Sequence, residues 1–259
     1  MRLIIGGDSK IGEKISSNWD NQKLKFHSST RRKELISKQR PFIDLSNLDH
    51  LNLEFNYDSA IFCASQTSLS ECESNPKESR KINVDAISKL AEILNSKGTF
   101  LLFLSTNQVF DGKKAYRKAS DQKNPINEYG RQKSDVEENI LKLSKSSVLR
   151  LSKVINHEDS LLIEWKNKLN SKEKIKAFDD MTLSPTSFGY VIKKIDLLLK
   201  HKREGIFHCR GGKDISYYEY AKQFAKSGNY PMNLIEKDSY KLSKKITFTP
   251  PSYTSLCEE

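Results

Sequence analysis

Apolar residues in the first 150 positions cluster in short continuous runs rather than in strict alternation. Phe100 to Leu104 is such a run, bounded by polar residues, and Leu3 to Ile5, Leu24 to Phe26, Ser59 to Cys63 and Ser147 to Leu151 read as further strands. This pattern predicts strands buried on both faces of a parallel sheet. Helical spacing fills the intervals, at Ile11 to Trp19, Pro76 to Ser96 and Glu128 to Leu143, and again at Ser187 to Lys200. Strand and helix in alternation predict an α/β fold with a doubly wound parallel sheet.

From about Ser152 the pattern loosens. Leu161, Leu162, Trp165 and Leu169 sit at helical spacing within Glu158 to Lys172, which reads as a packing helix. Gly205 onward reads as a strand, a Gly turn and a helix capped by Asp214 or Ser216. The expected organisation is a main domain over 1–152, a returning helix near 186–200, and a small C-terminal lobe made mostly of 153–259.

Chemistry concentrates between Leu101 and Lys133. The buried run there ends in Ser105 and Thr106, at the carboxyl end of a strand, where ligands bind in open α/β sheets. Tyr129 and Lys133 follow on a helix, one turn apart and on one face. An ammonium beside a phenol favours phenolate and lowers a pKa that is ordinarily about 10, making tyrosine an acid or base near neutrality. The competing reading is a chance pair on a solvated helix.

At the amino terminus, MRLIIGGDSKIGEKISSNW reads as a strand, a tight Gly-bearing turn and a helix. That is the entry of a dinucleotide fold, with phosphate at the helix N-terminus. Gly6 and Gly12 occupy the outer positions of a G-x-x-G-x-x-G pattern, and Ser9 replaces the middle glycine. Ser9 puts a Cβ where backbone should approach pyrophosphate, although its hydroxyl and Lys10 could contact phosphate; Ile11 lies between. After the second strand comes SSTRRKE, with Arg31 and Arg32 and no acid before Glu34. Arginine there accommodates a 2′-phosphate, which favours NADP over NAD and leaves NADH open.

Composition changes this picture little. The chain has 259 residues, 44 Lys and Arg, 33 Asp and Glu, and a formal charge of +11. The basic side chains do not interleave with aromatics as single-strand binders require, so nucleic-acid binding is not expected. Cys63, Cys72, Cys209 and Cys257 lack metal-ligand spacing and read as reduced thiols. His27, His50, His157, His201 and His208 form no zinc-binding pair, so no metal is expected, and His208 reads as a strand residue. With no apolar run near 18 residues, a soluble cytoplasmic protein without membrane insertion is expected. Oligomeric state stays open, a homodimer included.

The strings STNQVFDG, NPINEYGRQK, VLRLSKVI and DDMTLSPTS resemble the dTDP-4-dehydrorhamnose reductase branch of the extended short-chain dehydrogenase/reductases, the sugar-nucleotide-modifying group. The most specific part is P-x-N-x-Y-G-x-x-K at Pro125 to Lys133 combined with V-F-D-G at Val109 to Gly112. The resemblance implies a Rossmann domain with a small C-terminal substrate-binding lobe. It also implies that Thr106 hydrogen-bonds the substrate oxygen, Tyr129 donates the proton, and Lys133 holds the nicotinamide ribose and tunes Tyr129. Ala64 and Ser65 would line the cofactor crevice, Asp44 and Leu45 would flank the adenine, and Asn83 matches the family's asparagine on the following helix. Pro185 and Thr186 would start the helix that returns to the main domain.

Two departures accompany the match. Asn107 and Gln108 stand where the family has Asp-Tyr, and Lys153 stands where it has Trp. Related 4,6-dehydratases place Asp and Glu after the Thr; Asn107 and Gln108 cannot do that acid/base work, so dehydration is not expected. The implied activity is NADPH-dependent reduction of a 4-keto nucleotide sugar in deoxysugar or surface polysaccharide synthesis. An epimerase uses the same residues. The family also contains a non-catalytic binding subunit, the regulatory subunit of methionine adenosyltransferase.

Overall fold

The computed structural model describes residues 1–49, 51–53, 55–243 and 248–258, so His50 lies outside the described residues. The chain runs β1 (Arg2–Ile5), α1 (Lys10–Asn21), β2 (Phe26–Ser28), β3 (Ser59–Phe62), α2 (Leu69–Ser74), α3 (Pro76–Arg80), a π-helical segment (Lys81–Ala86), α4 (Ile87–Ser96), β4 (Phe100–Thr106), α5 (Glu128–Leu141) and β5 (Ser146–Leu151). It continues through β6 (Lys153–Val154), α6 (Ser160–Asn170), β7 (Ile175–Phe178), β8 (Thr182–Leu183), β9 (Pro185–Thr186), α7 (Phe188–His201), β10 (Gly205–Cys209), β11 (Ile215–Ser216), α8 (Tyr217–Ser227) and β12 (Ile235–Asp238). Six strands pair in the order β10-β5-β4-β3-β1-β2, every pair parallel. This is the doubly wound α/β fold that the apolar runs predict.

β4 shows why those runs are unbroken. Phe100, Leu102 and Leu104 enter a core shared with Ile15 and Trp19 of α1 and Val191, Ile195 and Leu198 of α7. Leu101 and Phe103 enter the opposite core with Leu90 and Leu94 of α4 and Val136 and Ile140 of α5. Helices on both faces leave no place for a polar residue until Ser105 and Thr106 at the strand's end.

Three expectations change, and the alternative left open for the cap of α8 is resolved. The second strand is Phe26–Ser28, two residues later than expected, because Lys23 takes a left-handed φ of 55° and Leu24 N–H closes back on the Trp19 carbonyl. The strand beginning at Gly205 belongs to the main sheet, beside β5, and not to the C-terminal lobe. Pro185 and Thr186 pair with β6, and the returning helix begins at Phe188, capped by Ser187. Ser216, not Asp214, caps α8; the Asp214 carboxylate takes the Thr254 and Ser255 amides instead.

A separate apolar cluster forms the C-terminal lobe. Leu162, Trp165 and Leu169 of α6 meet Ile175 and Ala177 of β7, Ile235 of β12 and the small Ala221 and Ala225 of α8. Tyr218 and Tyr220 pack against this cluster, while Tyr253 is exposed. Among the described residues, no helix is long and apolar enough to cross a membrane. The four cysteines are free.

Candidate active site

Two clefts open at the carboxyl ends of the strands, joined by the loop after β3. The first, about 300 Å³, is lined by Gly6, Ser9, Ser29, Arg31, Asp44, Leu45, Ala64 and Ser65 among others. The second, about 320 Å³, lies between the main sheet and the lobe, and Thr106, Tyr129 and Ile11 line it. Gln66 borders one and Thr67 the other.

The glycine turn is tight for steric reasons. A Cβ on Gly6 would run into Ala64, and one on Gly12 would meet the Gly6 carbonyl oxygen. Gly6 has φ of 85°, a conformation glycine adopts at no steric cost. Ser9 has an extended backbone, φ −78° and ψ 154°, so a Cβ costs nothing there. Its hydroxyl donates to the Gly6 carbonyl at 2.7 Å and accepts the Gly12 amide at 3.1 Å, capping α1. The Lys10 and Ile11 amides head α1, where a helix has no carbonyl four residues back to offer them.

The basic residues separate in the structure. Arg31 lines the first cleft, whereas Arg32 is engaged by Asp8 at 3.1 Å. Arg40, which the sequence reading missed, also pairs with Asp8, and Thr30 donates to the same carboxylate at 2.6 Å. Burial works against the Asp8 charge, but the bonds from Thr30 and Arg32 and the two guanidinium charges hold its carboxyl below the usual range. Arg40 Nε is buried with no hydrogen-bond partner among the described residues. The Lys10 ammonium lies 3.8 Å from Asp159, the cap of α6, so it ties α1 to the lobe.

Asn83 sits in the π-helical segment, fully buried. It accepts from Ser65 Oγ at 2.8 Å and from the Gln66 amide at 2.7 Å, and it donates to the Gln66 carbonyl and to Gln132 of α5. It therefore holds the loop between the clefts and does not line either. A π turn inside a helix is a common functional-site device, here aiming one amide into a loop.

Thr106 ends β4 with its hydroxyl accepting the Gln108 amide at 3.2 Å. Gln108 in turn accepts from Asn127 Nδ2 at 2.8 Å, and Asn127 caps α5 through the Gly130 amide. Gln108 thus supports the helix that carries Tyr129 and Lys133, while Asn107 Oδ1 accepts from the Thr106 hydroxyl at 3.4 Å. Ser105 donates to Glu137 at 2.6 Å, and Arg150 grips that carboxylate with two bonds of 2.9 and 2.7 Å, all three buried. Charged residues in α5 and β5 gave this network no distinguishing sequence signal.

The expected tuning of Tyr129 is corrected. Burial, with the Cys72 charge adding, raises the phenol above its ordinary value. Lys133 Nζ lies 5.8 Å from the centre of the Tyr129 ring and donates to the Leu104 carbonyl at 3.0 Å. Burial pulls this ammonium down to about 8, opposed by the Glu137 charge. Tyr129 is therefore protonated at neutral pH.

Comparisons with known proteins bear on the family and the fold. The family model of the RmlD substrate binding domain matches residues 1–245. The chain is 24% identical over 245 residues to methionine adenosyltransferase 2 subunit beta of Bos taurus, covering 88% of this chain and 72% of that one. It is 25% identical over 232 residues to a dTDP-4-dehydrorhamnose reductase of Aggregatibacter actinomycetemcomitans, covering 85% and 76%. In fold it resembles the dTDP-4-dehydrorhamnose reductase of Bacillus anthracis str. Ames crystallised with NADP, at a TM-score of 0.87 and 19% identity over 100% of this chain and 90% of that one. With the family model spanning both the parallel sheet and the lobe that close on the cleft, the chain belongs to the RmlD substrate-binding-domain family.

Proposed function

We propose that this protein is an NADPH-dependent reductase of a 4-keto nucleotide sugar, acting in the cytoplasm. The observation that carries the reading is that Thr106 and Tyr129, 23 residues apart in sequence, line one cleft, with the buried Lys133 Nζ 5.8 Å from the centre of the Tyr129 ring. Residues 1–152 with α7 and β10 would hold the cofactor, and most of the remainder would form the substrate lobe.

The lining of the first cleft fits a dinucleotide: the turn cannot accept side chains at Gly6 or Gly12, and Arg31 and the α1 N-terminus face the same space. The Lys10 and Ile11 amides would face the pyrophosphate, Asp44 and Leu45 the adenine, and Arg31 with Arg40 the 2′-phosphate. When bound, NADPH supplies the hydride for the keto carbon. Tyr129, which burial keeps protonated, gives its proton to the keto oxygen. Thr106, which accepts the Gln108 amide and donates over 3.4 Å to Asn107 Oδ1, would turn that proton from Asn107 to the same oxygen. Lys133 anchors to the strand carbonyl and presents positive charge beneath the phenol, stabilising the tyrosinate formed.

The test is NADPH oxidation with 4-keto nucleotide sugars, comparing wild type with Tyr129→Phe. Turnover falling about 10²- to 10⁴-fold, with NADPH affinity unchanged, supports the assignment. Full activity in that variant sinks it.

A second reading, favoured by the similarity to methionine adenosyltransferase 2 subunit beta, is a non-catalytic nucleotide-binding subunit. NADPH binding without turnover on any 4-keto sugar would select it.

A further inference from the structure

Two phenols line the second cleft, Tyr129 of α5 and Tyr217 at the start of α8. The proposed reduction uses the first alone. Of Tyr217, Tyr218 and Tyr220, only Tyr217 lines the cleft: Tyr218 lies beneath the ammonium groups of Lys222 and Lys237, and Tyr220 leans on Trp165 with ring centres 6.1 Å apart. The Tyr217 amide donates to the Met181 carbonyl at 3.1 Å, which fixes the residue beside the Thr182–Leu183 strand on the lobe wall of the cleft.

The ring packs against the apolar cluster of the lobe, closely enough for burial to push the phenol up to about 12. The hydroxyl does not share that packing. It has no hydrogen-bond partner among the described residues, and it is not sealed from solvent as the Ser147 and Ser152 hydroxyls are. An enclosed ring whose hydroxyl stays open has the cleft as the space it faces.

Charge separates the two phenols. Lys133 Nζ lies 5.8 Å from the Tyr129 ring centre, where positive charge stabilises a tyrosinate. Tyr217 has the opposite neighbour, Asp159, whose charge adds to burial in holding the phenol protonated. Tyr217 is therefore a fixed hydrogen-bonding group and not a second proton source. A cavity of about 320 Å³ orients its ligand with few such groups. Thr106 and Tyr129 would hold the keto carbon against the main-domain wall, so the ring that carries it is the part of the substrate that spans to the lobe wall.

We propose that Tyr217 hydrogen-bonds a hydroxyl of the sugar ring from the lobe wall of the cleft, and so selects among the sugars that reach Tyr129. This rests on the nucleotide-sugar reading of the same cleft.

The experiment compares wild type with Tyr217→Phe, which keeps the ring and removes the hydroxyl. Calorimetry on the NADPH-loaded proteins uses dTDP-glucose, UDP-glucose, dTDP and UDP as stable probes, and NADPH oxidation with a 4-keto nucleotide sugar gives KM and kcat. The proposal expects the glucose conjugate on the preferred base to bind about three- to tenfold more weakly in the variant, with KM raised by the same factor. The free nucleotides, NADPH, kcat and the melting temperature should hold. Unchanged affinity and KM would make Tyr217 a packing residue and overturn the proposal. A loss shared by the free nucleotides, or confined to NADPH, would put the hydroxyl on the nucleotide or the cofactor and overturn it equally. So would a fall in kcat with KM unchanged, which would mark Tyr217 as a proton source. Failure of both glucose conjugates to bind wild type with NADPH in place would overturn the nucleotide-sugar reading itself.

Discussion

Gly130 lies against the backbone carbonyl of Gln108, so closely that a Cβ at 130 would overlap that oxygen. The contact seats α5 on the turn that follows β4, and this sets Tyr129 over Thr106. The glycine after the tyrosine is therefore a packing requirement of the site. In Gly130→Ala the helix must lift, at about 1–3 kcal/mol of stability. A displacement near 1 Å costs about 10²-fold in turnover, so kcat should fall far more than the melting temperature suggests. Unchanged kcat would show that the seat does not position Tyr129.

Asp8 occupies two guanidinium groups beside the first cleft. Replacing it with Asn releases Arg32 and Arg40 toward a 2′-phosphate, so NADPH should bind about three- to tenfold tighter while NADH changes little. Arg40→Gln should weaken NADPH by a similar factor and spare NADH. Fluorescence titration of both cofactors reads the ratio directly.

The Glu137–Arg150 pair is buried on both sides. Glu137→Gln leaves the guanidinium charge uncompensated, which ordinarily costs about 3–5 kcal/mol. Denaturant unfolding should show that loss. Glu137→Gln together with Arg150→Met should recover much of it, since the penalty comes from the orphaned charge.

Two buried bases give opposite ends of a pH profile. His208 is held down to about 4 by burial and by the Arg150 charge. The unfolded chain then binds more protons between about 4 and 6.5, so stability falls as pH drops through that window. Lys133, held near 8, makes the unfolded chain bind more protons between about 8 and 10.5, so its burial penalty is relieved as pH rises there. Its charge is lost over the same rise, so turnover should decline above about pH 8 while the fold grows no weaker. His208→Gln should flatten the acid limb in thermal melts and leave the alkaline decline in place.

The sequence by itself determined the elements and the chemistry-bearing positions. β1, β3 and β4 showed most clearly as apolar runs because burial on both faces disfavours polar residues, whereas β2 and β5 carry buried polar residues such as His27 and Arg150. Thr106 and Tyr129 were legible because a strand end and a helix turn fix where they point. Ser9 looked like a defect in the glycine pattern, and only its φ and its capping bonds show that no left-handed backbone is needed there. The place of β10 in the main sheet, the Asp8–Arg40 pair and the Arg150–Glu137–Ser105 network were decided by tertiary structure. Each joins residues distant in sequence whose types are ordinary in a lysine-rich chain, so local patterning carries no trace of them.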